Sequence, residues 1–155
     1  MIKGKKIADY INEETVNLDL KSKVKNMVIK ELYGAIKDSD SIKNKELGLS
    51  DIYAREELGS TGIGKGVALP HAKTKAVDEL VVTLGISKNG IEYDSLDEEN
   101  VKIFFMFLCP EEDTQEYLKV LARISRWIKE DRFRESLLKA KTGKEIIDII
   151  KAEEV

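Results

Sequence analysis

Two stretches of the chain contain almost no polar residues. Residues 80–86 read Leu, Val, Val, Thr, Leu, Gly, Ile, and residues 101–109 read Val, Lys, Ile, Phe, Phe, Met, Phe, Leu, Cys. Continuous apolar runs of strand length suit strands covered on both faces, so these two predict the centre of a sheet. Asn89-Gly90 predicts a turn after the first of them. Helical spacing governs much of the rest. Val24, Met27, Val28, Leu32 and Ile36 recur three or four apart and predict a helix over about 21–36, which the Asp-Ser-Asp-Ser run at 38–41 breaks. Leu47, Asp51, Ala54 and Leu58 share one face of a second helix that Gly59 stops. Beyond Pro110, Leu118, Leu121, Ile124 and Ile128, with Trp127 beside them, predict a long helix. A shorter helix carries Phe133, Leu137 and Leu138, and another opens on Thr142-Gly-Lys-Glu145. The latter is a capping-box pattern, in which hydroxyl and carboxylate satisfy free amides reciprocally. Thr15 to Leu18 alternate weakly, as a short strand would. Helices thus precede and follow a strand-rich middle. The architecture is α/β, a sheet with helices on both faces, with the strand order left open.

Composition narrows this picture. At 155 residues, with 42% hydrophobic and 35% charged positions, the chain is expected to be one folded domain over 1–155. Its 26 basic and 29 acidic residues leave a net charge of −3, which argues against nucleic acid or anionic lipid as partner. No apolar run approaches the roughly 20 residues that a spanning helix needs, so no direct membrane insertion is expected. Cys109 is the only cysteine, which excludes an intramolecular disulfide and makes the cytoplasm the expected compartment. One histidine and one cysteine cannot supply the usual zinc sets.

The chemistry-bearing segment is glycine-rich. Gly59-Ser-Thr-Gly-Ile-Gly64-Lys65-Gly66 nearly spells a nucleotide phosphate loop, but glycine stands where that loop needs Ser or Thr for magnesium. Such a loop must also run into a helix, whereas Val67-Ala68-Leu69 read as a short strand and Pro70 would break a helix. The segment therefore reads as a flexible loop feeding a strand. His71, the only histidine, follows Pro70 directly. Spacing alone leaves it either a hydrogen-bonded structural histidine or a positioned nucleophile. Cys109 ends an apolar strand and reads as a buried small hydrophobe rather than a nucleophile.

The eighteen residues from Arg55 through Glu-Glu-Leu-Gly-Ser-Thr-Gly-Ile-Gly-Lys-Gly-Val-Ala-Leu-Pro to His71-Ala72 resemble a known active-site signature. It is that of the type-2 enzyme IIA components, the fructose/mannitol class, of the bacterial phosphoenolpyruvate-dependent sugar phosphotransferase system. The similar order of elements extends the resemblance over nearly the whole chain, including Thr114-Gln-Glu-Tyr-Leu at the opening of the long helix. The resemblance implies a mixed β-sheet with helices packed on both faces. It also implies a phosphotransferase-system component, a protein histidine phosphocarrier needing no small-molecule cofactor and no metal. His71 would accept a phosphoryl group from the carrier protein HPr and pass it to an enzyme IIB component. Imidazole suits that task, being substantially neutral near pH 7 with a lone pair free for attack. The resemblance further implies Nε2 as the acceptor, with the Nδ1 proton held by a backbone oxygen.

By the same resemblance, Arg55 lies where the family keeps an arginine beside the phosphoryl group. A guanidinium offers directed donors to the charge spread over the transferring oxygens. Thr61 is either a hydroxyl donor to a phosphoryl oxygen or an ordinary loop threonine. One position departs from the family pattern. Many members carry a second histidine at the start of the long helix, and Tyr117 stands there instead. Its hydroxyl can exchange hydrogen bonds but cannot carry positive charge or shuttle a proton near neutrality. A second reading is therefore a regulatory protein-binding module of the same family, whose phosphorylation state controls partner proteins rather than sugar flux. By the same resemblance, the choice of any sugar served lies largely in a membrane component rather than in the carrier.

Overall fold

The computed structural model describes residues 6–154. Strand β5 (Val101–Pro110) lies at the heart of a five-stranded mixed sheet. Strand β4 (Val81–Ile91) runs antiparallel along one edge of it, with Leu84 opposite Phe105. Along the other edge, β2 (Val67–Ala68) and β3 (His71–Thr74) follow one another, both parallel to β5. The short β1 (Gly62–Gly64) pairs antiparallel with β2. Of the two apolar runs, residues 101–109 form the central strand as expected, but β4 pairs with β5 alone among the strands and is an outer strand, apolar because helices cover both of its faces rather than because it is central.

Alternation along β5 divides the core. Ile103, Phe105, Phe107 and Cys109 face α3 (Thr114–Trp127), α4 (Asp131–Lys139) and α5 (Gly143–Glu153), together with a 3₁₀ turn at Ile7–Tyr10. Phe104, Met106 and Leu108 face α1 (Lys25–Gly34) and α2 (Lys45–Glu57). This is the expected mixed sheet with helices on both faces. Helix α1 packs closely on β4 because Gly85 has no side chain. A Cβ there would lie 2.5 Å from Leu32 Cδ2 and 2.9 Å from Leu20 Cδ1.

Several local expectations are corrected. Asn89-Gly90 is not a turn between strands but lies inside β4, at a break in register where Gly90 takes φ +81°. The stretch at 59–66 is not a loose loop. Lys65 and Gly66 both take positive φ, at +59° and +78°, and join β1 to β2. Such a two-residue turn matches strand twist. Helix α1 begins at Lys25 rather than near 21 because the Glu31 carboxylate accepts from the amides of Lys21 and Ser22, holding that segment out of the helix. Thr15 to Leu18 contribute one parallel bridge, Asn17 to Gly85, and no strand. The Asn17 side chain accepts from the Asp19 amide and bends the chain away.

The helix faces also shift. In α2 the buried stripe is Gly48, Ile52 and Glu56, while Ala54 and Leu58 are exposed. In α3 it runs through Glu116, Val120, Ile124 and Trp127, and Leu118 is 55% exposed. In α4, Phe133 and Leu137 are buried while Leu138 is exposed. Apolar spacing found these helices, but the sheet chose which side they present. Half of the capping box forms. Thr142 Oγ1 accepts from the Glu145 amide, while the Glu145 carboxylate takes the Lys141 amide instead of that of Thr142.

Candidate active site

Strand register brings the central pair of rings together. His71 is the first residue of β3 and pairs with Phe107 across the parallel ladder. Neighbours on adjacent strands point to the same face, and the imidazole stacks on the Phe107 ring at 5.0 Å between centroids and 7° between planes. Pro70, just before His71, offers no amide, and its carbonyl accepts from the Phe107 amide. Backbone and ring of the histidine are therefore both held.

The two ring nitrogens have different partners. Nδ1 lies 2.5 Å from the carbonyl oxygen of Leu69, two residues back. A carbonyl only accepts, so Nδ1 carries the proton and Nε2 keeps the lone pair. Nε2 lies 2.9 Å from the Tyr117 hydroxyl, which therefore donates to it. His71 is only 3% exposed. Tyr117, half-buried in the first turn of α3, lies over Nε2. Burial is the main influence on the charge of His71 and depresses its pKa below the ordinary 6.5, and the positive charge of Arg55 acts in the same direction. The Leu69 carbonyl and the Glu56 carboxylate pull the other way without overcoming burial. The neutral tautomer is the resting form at neutral pH.

Arg55 sits in the last turn of α2, where a cation complements the helix dipole. Its Nη1 donates to the Gly59 carbonyl at 2.9 Å. Among the described residues it pairs with none of Asp51, Glu56 and Glu57. Thr61 is buried, and its hydroxyl donates to Glu56 Oε1 at 2.6 Å while its amide donates to Glu56 Oε2 at 2.8 Å. Glu56 also pairs with the Lys25 ammonium at 3.0 Å. The Tyr93 hydroxyl lies 3.4 Å from Thr61 Oγ1, and burial drives its pKa far above the usual phenol value. Cys109 is fully buried, and burial, with Glu116 and Asp113 nearby, pushes its thiol up to about 12. It offers no thiolate near neutral pH.

Glu56, Tyr93, Lys25 and Phe107 are absent from the sequence-derived site. For Glu56 a signal existed, because it lies four residues after Ile52 and eight after Gly48, on one helical stripe. Charge argued against placing it inside. The Phe107 stack depends on parallel register, which local spacing does not contain.

The arrangement defines a class: an α/β domain that presents one neutral histidine from a short parallel strand, with an arginine-bearing helix end alongside. The chain belongs to the family described as "Phosphoenolpyruvate-dependent sugar phosphotransferase system, EIIA 2", whose model matches residues 9–153. It is 34% identical over 145 residues to the PTS system fructose-specific EIIABC component of Bacillus subtilis, which covers 94% of this chain and 23% of that protein. The chain thus spans less than a quarter of that relative's length. It is 30% identical to the PTS system fructose-specific EIIA component of Haloferax volcanii, over 88% of this chain and 89% of that one. In three dimensions it matches the nitrogen regulatory protein IIA-Ntr of Neisseria meningitidis with a TM-score of 0.87 and 27% identity, over 93% and 98% of the two chains. Among the described residues no helix is long and apolar enough to cross a membrane.

Proposed function

We infer that this protein is a cytoplasmic phosphocarrier in which His71 accepts a phosphoryl group at Nε2 from phospho-HPr and passes it to an enzyme IIB component. The observation that carries this reading is the tautomer, with Nδ1 tied to the Leu69 carbonyl and Nε2 facing the Tyr117 hydroxyl. Neutral Nε2 attacks phosphorus, the P–Nε2 bond forms, and the bond from phosphorus to the donor's ring nitrogen breaks. The electron pair of that bond returns to the donor ring, and no proton has to leave His71. The imidazolium so formed keeps its Nδ1 proton, and its bond to Leu69 O becomes charge-assisted and stronger. Tyr117 must turn its hydroxyl away from Nε2 as the phosphoryl group arrives, and from there it donates to a phosphoryl oxygen. Arg55 is released from Gly59 O to meet the developing charge. Thr61 supports the site indirectly, since its hydroxyl is committed to Glu56.

Incubation with phosphoenolpyruvate, enzyme I and HPr should add one acid-labile phosphoryl mass, absent in His71→Ala. Failure of the wild-type chain to take up phosphorus ends the reading. A regulatory role is the second reading, favoured by the match to a nitrogen regulatory protein over nearly all of both chains. The phosphorylated protein then discharges slowly to enzyme IIB components and binds a third protein in only one of its two states. Rapid discharge to a IIB component supports sugar transport instead.

A further inference from the structure

The Tyr117 side chain that caps His71 Nε2 has a cation on its ring face. Lys73 is two residues beyond His71 on β3, and residues two apart on a strand share a face. The Lys73 ammonium lies 5.2 Å from the centroid of the Tyr117 ring, within the range of a cation–π contact. The same ring is 5.6 Å from the His71 ring, and its hydroxyl caps Nε2. Lys73 is exposed and, among the described residues, has no carboxylate at ion-pair distance. Two other cations of the site have partners of their own: Lys25 pairs with Glu56, and Arg55 donates to the Gly59 carbonyl.

We propose that Lys73 and Tyr117 act together on the phosphoryl group carried by His71, Lys73 supplying positive charge and Tyr117 a directed hydrogen bond. This deepens the phosphocarrier reading and rests on it. In the resting protein the ammonium lies on the aromatic face of Tyr117. When the Tyr117 hydroxyl swings off Nε2, its ring carries the platform of Lys73 with it. The flexible four-carbon stem then lets the ammonium follow to the phosphoryl oxygens. A lysine ammonium is a mobile point charge with rotatable donors, suited to meeting a group that is present only part of the time. The charge is delivered with the phosphoryl group and leaves the resting imidazole neutral.

The test compares wild type, Lys73→Gln and Lys73→Arg with phospho-HPr as donor, together with a ³¹P titration of each phosphorylated protein. Lys73→Gln is expected to slow phosphoryl uptake by roughly tenfold, the effect of one lost charge-assisted contact in the transition state. It should also raise the pH at which the phosphoryl group passes from monoanion to dianion, because a nearby cation favours the dianion. Lys73→Arg should restore both. In a Tyr117→Leu background the Lys73→Gln effect should shrink, since the platform is gone. Uptake within twofold of wild type in Lys73→Gln overturns the proposal. So does slower uptake with an unmoved ³¹P titration, which would mean that the lysine acts on partner docking. If the wild-type protein accepts no phosphoryl group at all, the phosphocarrier reading fails first, and that result is distinct from either.

Discussion

Truncation of Glu56 to alanine is the perturbation that most directly tests how the site is held. The carboxylate joins the end of α2 to the start of β1 by accepting the Thr61 amide at 2.8 Å and the Thr61 hydroxyl at 2.6 Å. It also meets the Lys25 ammonium at 3.0 Å, with Lys25 20% and Glu56 6% exposed along their side chains. Removing one partner of a buried ion pair costs roughly 3–5 kcal/mol, because the other charge is left uncompensated. The partial exposure of Lys25 lets water solvate it, which places Glu56→Ala near the lower figure, about 3 kcal/mol. At roughly 2–4 °C per kcal/mol for a chain of this size, Tm should fall by about 6–12 °C. A domain of ordinary stability, about 5–15 kcal/mol, still folds. Glu56→Gln retains an acceptor for Thr61 and should cost less, about 1–2 kcal/mol. Urea denaturation followed by the fluorescence of Trp127, the only tryptophan, measures the free energies, and thermal unfolding read by the same signal measures the shift in Tm. A double-mutant cycle of Glu56→Gln with Lys25→Met isolates the ion pair and should return a favourable coupling above about 0.5 kcal/mol. A Glu56→Ala protein within 0.5 kcal/mol of wild type, or a coupling of zero, refutes the argument that this carboxylate clamps the turn beneath Arg55.

Because the folded protein holds His71 below its ordinary pKa of 6.5, the unfolded chain takes up this proton more readily. The contribution to stability is full above about pH 6.5 and is lost as pH falls toward the lower folded value. The stability difference between wild type and His71→Gln should therefore be flat above pH 6.5 and change below it. A difference that changes instead between pH 7 and 8 reverses the assigned sign. Tyr117→Phe removes the donor to Nε2, so the midpoint of the single histidine, read by proton NMR, should rise toward the ordinary value, and an unmoved midpoint means that the hydroxyl does not donate. Gly85→Ala drives a methyl into Leu32 and Leu20 and should cost about 1–3 kcal/mol by overpacking, whereas an unchanged denaturation midpoint would show that α1 is not tightly seated on β4. Arg55→Ala should slow phosphoryl uptake by roughly 10²-fold or more while His71→Ala abolishes it, and wild-type rates in Arg55→Ala remove that side chain from the chemistry.

Residues 80–86 and 101–109 were legible as strands covered on both faces, because such burial leaves a mark in the local run of residues, but only the topology made 101–109 the central strand and β4 an outer one. The segment from Arg55 to Ala72 was legible as a family signature for a similar reason, since its glycines, Pro70 and His71 are contiguous. Helix existence was legible too, being a matter of three- and four-residue spacing. Which side of α2 and α3 turned inward was not. Leu58 and Leu118 are apolar yet exposed, while Glu56 and Glu116 are charged yet buried. For Glu56 the deciding energy lies in partners from other elements, Thr61 from the turn and Lys25 from α1. The same holds at His71. Its identity as the one imidazole is a fact of the chain, but its tautomer, its stack on Phe107 and its cap from Tyr117 arise where β3 meets β5 and α3 crosses above them. Hydrogen bonds and ring contacts between residues 36 and 46 positions apart depend on register and helix placement, and these are set by packing the whole domain at once.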